Sequence, residues 1–235
     1  MLPTTTIKLN RIMTIRELIL SALISIISFS CQPHKKTETV PEEKNYVFFL
    51  HNKFLENHPS GTISTEYNTK AEYNEILASF RKDGFVVISE KKKPKTDAVM
   101  YARKVTAQID SLTAMGDKPD HITVVGTSKG GYIAQFVSTY AKNPDLNFVL
   151  IGCYQNSDIK EIPDINFCGN ILTIYEKTDS YGVSAIKRKE LSTLPVTRFK
   201  EMEINTGLKH GFLYLASDEW ILPAKKWAAR NYDLK

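Results

Sequence analysis

The stretch Val124-Val125-Gly126-Thr127-Ser128-Lys129-Gly130-Gly131-Tyr132 constrains this chain more than any other. An apolar run of strand length, opened at Ile122, leads straight into a turn that holds three glycines, and a helical pattern follows from about Gly131 to Lys142. Glycines at such a junction let the strand and the helix crowd together, while the residue between them, Ser128, stays exposed at the top of a sheet. A chain with this turn at its centre needs a sheet with helices against it, and the rest of the sequence supplies them.

From residue 46 onward short apolar runs alternate with amphipathic stretches, the pattern of strand-helix repeats and a mainly parallel sheet. Strands are expected at Tyr46 to Leu50, Phe85 to Ser89, Ile122 to Val125, Phe148 to Ile151, Ile171 to Tyr175 and Phe199 to Ile204. Thr65 to Arg81 reads as a helix with Tyr67, Ala71, Ile76, Leu77 and Phe80 near one face. Thr96 to Met115 reads as a second helix, opened by the Thr96 and Asp97 cap signals and closed by Gly116, and Glu219 to Arg230 closes the chain with Trp220, Leu222, Ala224 and Trp227. The expected class is α/β, a three-layer α/β/α sandwich on a mostly parallel sheet of about six strands.

The first 30 residues have a different character. Lys8, Arg11 and Arg16 precede an apolar run from Leu18 to Phe29 that ends in Ser28 and Ser30, with Cys31 next. That run is shorter than the ~20 residues of a membrane-spanning helix and reads as a secretory signal peptide, with translation starting at Met1 or Met13. Ser28-Phe29-Ser30-Cys31 resembles a bacterial lipoprotein signal, in which the cysteine becomes the first mature residue and carries the lipid, although Ser28 and Phe29 depart from the usual residue types. That resemblance implies residues 1–30 as signal peptide, 31–45 as lipidated Cys31 and polar tether, and 46–235 as the folded domain. It also implies a bacterial cell-envelope location, periplasmic or surface-exposed, with the membrane as partner through the lipid.

Net charge is +5 for the chain, and residues 1–30 hold three of its Lys/Arg and one of its acids, leaving 28 basic against 25 acidic residues. A balance that mild does not argue for nucleic acid, and Lys91-Lys92-Lys93-Pro94-Lys95 reads as a solvated loop between a strand and a helix. Cys153 and Cys168 are expected to stay unbridged, because they fall at the end of one strand and before the start of the next; they read as two small buried hydrophobes. No Cys/His/Asp cluster has metal-ligand spacing and no dinucleotide fingerprint appears, so no cofactor or metal is implied. Oligomeric state is not encoded legibly.

A serine hydroxyl is a weak nucleophile, so a serine enzyme must hold it at a tight turn beside a general base, with N–H donors ready for the developing oxyanion. Gly126 to Gly130 has the G-x-S-x-G spacing, at a strand-helix junction; a phosphate-binding loop is the competing reading, but the Walker spacing is absent. Residues 46 to 235 resemble a small, lidless α/β-hydrolase. The resemblance implies a triad in the order Ser, acid, His: Ser128, then Asp179 in Tyr175-Glu176-Lys177-Thr178-Asp179, then His210 in Lys209-His210-Gly211-Phe212, with Glu176 open as the alternative acid. Of the five histidines, His34 lies in the tether, His51 and His58 after the first strand and His121 at the far end of the strand that leads to the turn, which also favours His210.

The resemblance further implies an oxyanion hole from the backbone N–H of Lys129 and a second N–H in His51-Asn52-Lys53-Phe54, where Lys53 is the first candidate and Phe54 the second. Asn52 stands at the family's Gly position, and Asn tolerates left-handed backbone better than most residues. Tyr154, Tyr181 and Phe212 flank the expected loops and either shape a pocket or pack. The implied activity is cleavage of a carboxylic ester, thioester or amide of a small-molecule acyl substrate through an acyl-enzyme on Ser128. A binding or scaffolding lipoprotein that keeps the fold without the chemistry is the alternative.

Overall fold

The structure, a computed structural model, describes residues 43–234. The expected signal peptide, Cys31 and the tether as far as residue 42 lie outside the described residues. In chain order the elements are β1 (Tyr46–Leu50), the single-turn α1 (Phe54–Asn57), β2 (Ile63–Ser64), β3 (Thr69–Lys70), α2 (Tyr73–Lys82), β4 (Val86–Ile88), α3 (Ala98–Ala114), β5 (Ile122–Thr127) and α4 (Lys129–Ala141). They continue with β6 (Asn147–Ile151), α5 (Asp158–Glu161), β7 (Gly169–Glu176), α6 (Ile186–Leu191), β8 (Val196–Ile204), a 3-10 turn over Lys209–Tyr214 and α7 (Asp218–Ala228).

Six strands form one sheet in the order β4-β1-β5-β6-β7-β8, every pair parallel. The order starts near the middle and reverses, so β1 and β5 lie side by side with their carboxyl ends together, where ligands bind in sheets of this kind. Alternate residues of the strands face opposite ways, and the register turns that alternation into two cores. The row Phe48, Val124, Phe148 and Ile171 runs across neighbouring strands and packs with Ala102, Val105 and Ile109 of α3 and Ile133, Ala134 and Val137 of α4. The row Phe49, Val125, Val149 and Leu172 faces the other way, onto Ile76, Leu77 and Phe80 of α2 and Trp220, Ile221, Ala224 and Trp227 of α7. The fold is the three-layer α/β/α sandwich expected, with strands buried on both faces and therefore nearly continuous in apolar residues.

Local signals set most boundaries. The Asp97 carboxylate accepts a hydrogen bond from Met100 N–H at 2.8 Å and opens α3, which Gly116 closes at φ +100. The segment 65–72 departs from expectation: the helix begins only at Tyr73, and the residues before it form the antiparallel hairpin β2-β3. Asn68 takes left-handed backbone at φ +49 between the two strands, and the bonds Gly61 N–H to Ala71 O and Ala71 N–H to Thr62 O, 2.7 and 2.9 Å, extend the pairing. Backbone pairing here outweighs a helical spacing of Tyr67 and Ala71 with the α2 residues. Cys153 follows the carboxyl end of β6 and Cys168 precedes the amino end of β7; both are buried and unbridged.

Candidate active site

Ser128 sits between β5 and α4 with φ +49 and ψ −119, a conformation that strains any residue with a side chain and that only close surrounding packing maintains. The glycines supply that packing. A Cβ on Gly126 would lie 2.3 Å from the Gly130 carbonyl oxygen, and one on Gly130 would lie 1.8 Å from that of Leu50, so helix and strands meet with no room for a methyl group. A Cβ on Gly131 would lie 2.4 Å from Cys153 Sγ, which gives that buried cysteine a packing role. Ser128 N–H is bonded to Ile151 O at 2.9 Å, and the side chain is left half-buried at the carboxyl edge of the sheet.

The loops after β7 and β8 meet Ser128 there. His210 Nε2 is 2.8 Å from Ser128 Oγ and His210 Nδ1 is 2.7 Å from Asp179 Oδ2, with the Asp179 side chain fully buried and that of His210 10% exposed. A carboxylate can only accept, so Nδ1 carries the proton and Nε2 is left to accept from the serine hydroxyl. The second Asp179 oxygen accepts Tyr181 N–H at 2.8 Å. Glu176, the alternative acid, is turned away from this line: its carboxylate accepts from the N–H and hydroxyl of Thr178 and from the N–H groups of Thr206 and Gly207, at 2.6 to 3.0 Å. Burial alone would raise its pKa, but these four hydrogen bonds prevail and hold it below the usual carboxylate value. Thr178 Oγ1 also accepts Lys209 N–H at 3.3 Å, so Glu176 and Thr178 fasten the Asp179 loop to the His210 loop.

The other side of Ser128 is the exit from β1. Lys129 begins α4 and Lys53 caps α1, so the N–H of each belongs to a helix start that has no intrahelical acceptor. Asn52 does not use the left-handed backbone that Asn tolerates; its side chain is buried and its Oδ1 accepts Leu55 N–H at 3.2 Å at the start of α1. The Lys92 run is likewise not a wholly solvated loop. Lys92 is 2% exposed, its Nζ donates to His51 O at 2.5 Å and its N–H donates to His51 Nε2 at 2.8 Å, while His51 Nδ1 meets Asn52 O at 2.7 Å. The repetition of lysines hides the one that folds inward. Burial and the nearby Lys92 charge push His51 down to about 3, and burial pushes Lys92 down to about 7.

Two lobes open from Ser128, each of about 500 Å³. One is walled by rings that follow one another in space: His58 stacks on Phe54 at 4.1 Å, Phe54 on Tyr214 at 5.1 Å, and Tyr67 approaches Tyr214 and His210 at 5.8 and 6.1 Å. The hairpin places Tyr67 there and braces the His210 loop, because a Cβ on Gly211 would lie 2.6 Å from Tyr67 Cβ. Sequence reasoning assigned Tyr67 to a helix face and missed it as a cleft residue; Asn68 and the Ser/Thr-rich 60–65 were the available turn and strand signals. The second lobe holds Tyr132, Gln155, Asp158 and Glu161. Tyr181, half-exposed, borders both lobes, whereas Phe212 is core and Tyr154 is buried behind the site. Among the described residues no three His, Cys, Asp or Glu side chains are grouped to hold a metal ion.

No protein-family model matches the sequence, and no curated protein does. Solved structures do. A putative dienelactone hydrolase from Klebsiella pneumoniae superposes with a TM-score of 0.56 at 10% identity over 82% of this chain and 90% of that one. Est1E from Butyrivibrio proteoclasticus gives 0.53 at 10% identity over 83% and 90%, and a putative α/β hydrolase from Agrobacterium tumefaciens gives 0.52 at 16% over 80% and 85%. At such identities the likeness is one of fold, and with the parallel sheet and its strand order it establishes that this chain has the α/β-hydrolase fold.

Proposed function

We propose that this protein is a serine hydrolase that cleaves carboxylic esters, with thioesters and amides as further candidates, through an acyl-enzyme on Ser128. The observation that carries the reading is the continuous line Ser128 Oγ, His210, Asp179 at 2.8 and 2.7 Å, at the carboxyl end of the sheet and open to two lobes of a cleft. In the forward step Ser128 Oγ attacks the substrate carbonyl carbon and its proton passes to His210 Nε2. The tetrahedral intermediate carries its negative charge on the former carbonyl oxygen, facing the N–H groups of Lys129 and Lys53. Collapse breaks the bond to the leaving oxygen, which takes the proton from Nε2 and departs as the alcohol. Water, deprotonated by the same nitrogen, then attacks the acyl carbon; collapse releases the acid and returns the proton to Ser128. Asp179 holds the proton on Nδ1 and stabilises the imidazolium that forms twice in the cycle.

The lipoprotein-type signal supports a second part of the proposal, that the domain is held at a bacterial envelope membrane through lipid on Cys31. Turnover of short-chain aryl esters by the wild type, lost in Ser128→Ala and His210→Ala with unchanged folding, is the expected result. Full turnover in either variant would overturn the assignment. Detergent partition of the full-length protein, lost in Cys31→Ala, tests the anchor.

A further inference from the structure

Glu56 and Lys129 are 73 residues apart in sequence, yet the Lys129 ammonium lies 2.7 and 2.9 Å from the two carboxylate oxygens of Glu56. The Glu56 side chain is completely buried and that of Lys129 only 19% exposed. The pair joins two particular loops. Lys129 follows Ser128 directly, and Glu56 stands three residues after Lys53 on the single turn α1. These loops bear the two backbone N–H groups assigned above to the oxyanion, and nothing in the G-x-S-x-G turn itself demands a lysine at this position.

We propose that the Glu56–Lys129 ion pair is a positioning device that fixes the separation of the two oxyanion N–H donors, an inference that rests on the hydrolase reading above. Stability alone is a weak reason for such a pair, because taking both charges out of water offsets most of their attraction, and well-packed apolar residues commonly serve as well. What the pair supplies is a fixed distance between a helix start and a short loop that is otherwise exposed at Lys53 and Asn57. Two further contacts brace the same loop: Lys92 Nζ holds His51 O at 2.5 Å, and Gly130, lacking a side chain, abuts the carbonyls of Leu50 and His51. The pair contributes the tie from the distal side, so the loop is gripped at both ends. Donors placed in this way act on charge that appears only in the transition state, so the pair governs kcat and leaves substrate binding nearly untouched.

The test measures kcat, KM and thermal unfolding for Glu56→Gln, Lys129→Met and the double variant Glu56→Leu/Lys129→Met, with a fluorophosphonate probe counting competent Ser128. Misplacement of a donor by about an ångström predicts a fall in kcat of roughly 10- to 100-fold, KM within about twofold and full eventual labelling. The single variants leave one buried charge unpaired and are expected to unfold at lower temperature; the double variant restores stability and keeps the low kcat. A stable double variant with wild-type kcat, or a loss confined to KM, would overturn the inference while the wild type still labels. A folded wild type that neither labels nor turns over ester would overturn the hydrolase reading and this inference with it.

Discussion

Two histidines lie on opposite sides of Ser128, and they are held in opposite ways. His210 has a side-chain carboxylate on one nitrogen and a hydroxyl on the other, both able to respond to a change of charge on the ring. His51 is fully buried, with Nδ1 on the Asn52 carbonyl and Nε2 taken by the N–H of Lys92, and its pKa is pushed down to about 3. The residue type is the same, but His210 lines the cleft while His51 lies buried behind Asn52 and Lys53. The difference is that one ring has a carboxylate and a hydroxyl on its two nitrogens, whereas the other is kept neutral by burial and by the Lys92 charge, which together outweigh its bond to the Asn52 carbonyl. In the proposed mechanism the Asp179 and His210 loops carry the proton transfers, whereas the Lys53, Glu56 and Lys92 side only holds its groups in place.

The first way to break this comparison is at the two acids. Asp179→Asn replaces the acceptor on His210 Nδ1 by a group that can also donate, and kcat is expected to fall roughly 10⁴-fold with the fold intact. Glu176→Gln, three residues away, is expected to leave Ser128 labelling in place and to lower unfolding stability by about 1–3 kcal/mol through its lost charge-assisted bonds. Equal kinetic losses in both would erase the distinction drawn between them.

A smaller effect sharpens the static side. Lys92 drops from 10.5 to about 7 on folding because burial, with the Lys129 charge, outweighs Glu56 and Glu90. The unfolded chain therefore holds a proton that the folded one lacks between those values, and Lys92 makes the protein more stable as pH rises from about 7 towards 10.5 and contributes a constant penalty below 7. The slope is at most about 1.4 kcal/mol per pH unit. Denaturant unfolding of wild type and Lys92→Met at pH 7, 8 and 9 should show a stability gap that shifts in favour of wild type with pH. A gap independent of pH would mean that Lys92 is solvated after all.

Much of this architecture is legible in the sequence, and the failures have a common cause. The strands that carry the two cores are continuous apolar runs and the turn at Gly126 to Gly131 announces its own geometry, because local chemistry decides both. Residues 65–72 were only weakly legible: β2 and β3 are two residues each, marked by no more than Asn68 and the Ser/Thr-rich 60–65, and the hairpin rests against Gly211, over a hundred positions away in the chain. Lys92 in a lysine run and Glu56 opposite Lys129 are likewise settled by tertiary neighbours. Glu176 and Asp179 could not be told apart by spacing, since only the positions of the Thr206 and His210 segments decide which carboxylate meets the imidazole.

Covalent labelling by a fluorophosphonate, with His210→Ala and His51→Ala compared in the protein truncated to residues 43–235 and the adduct located by mass, tests the central claim most directly. The account predicts an adduct on Ser128 in the wild type, loss of it in His210→Ala, and its persistence in His51→Ala alongside a stability loss of about 1–3 kcal/mol from the orphaned Lys92 N–H. A well-folded wild type that takes up no probe, or a His210→Ala variant that labels at the wild-type rate, would contradict it.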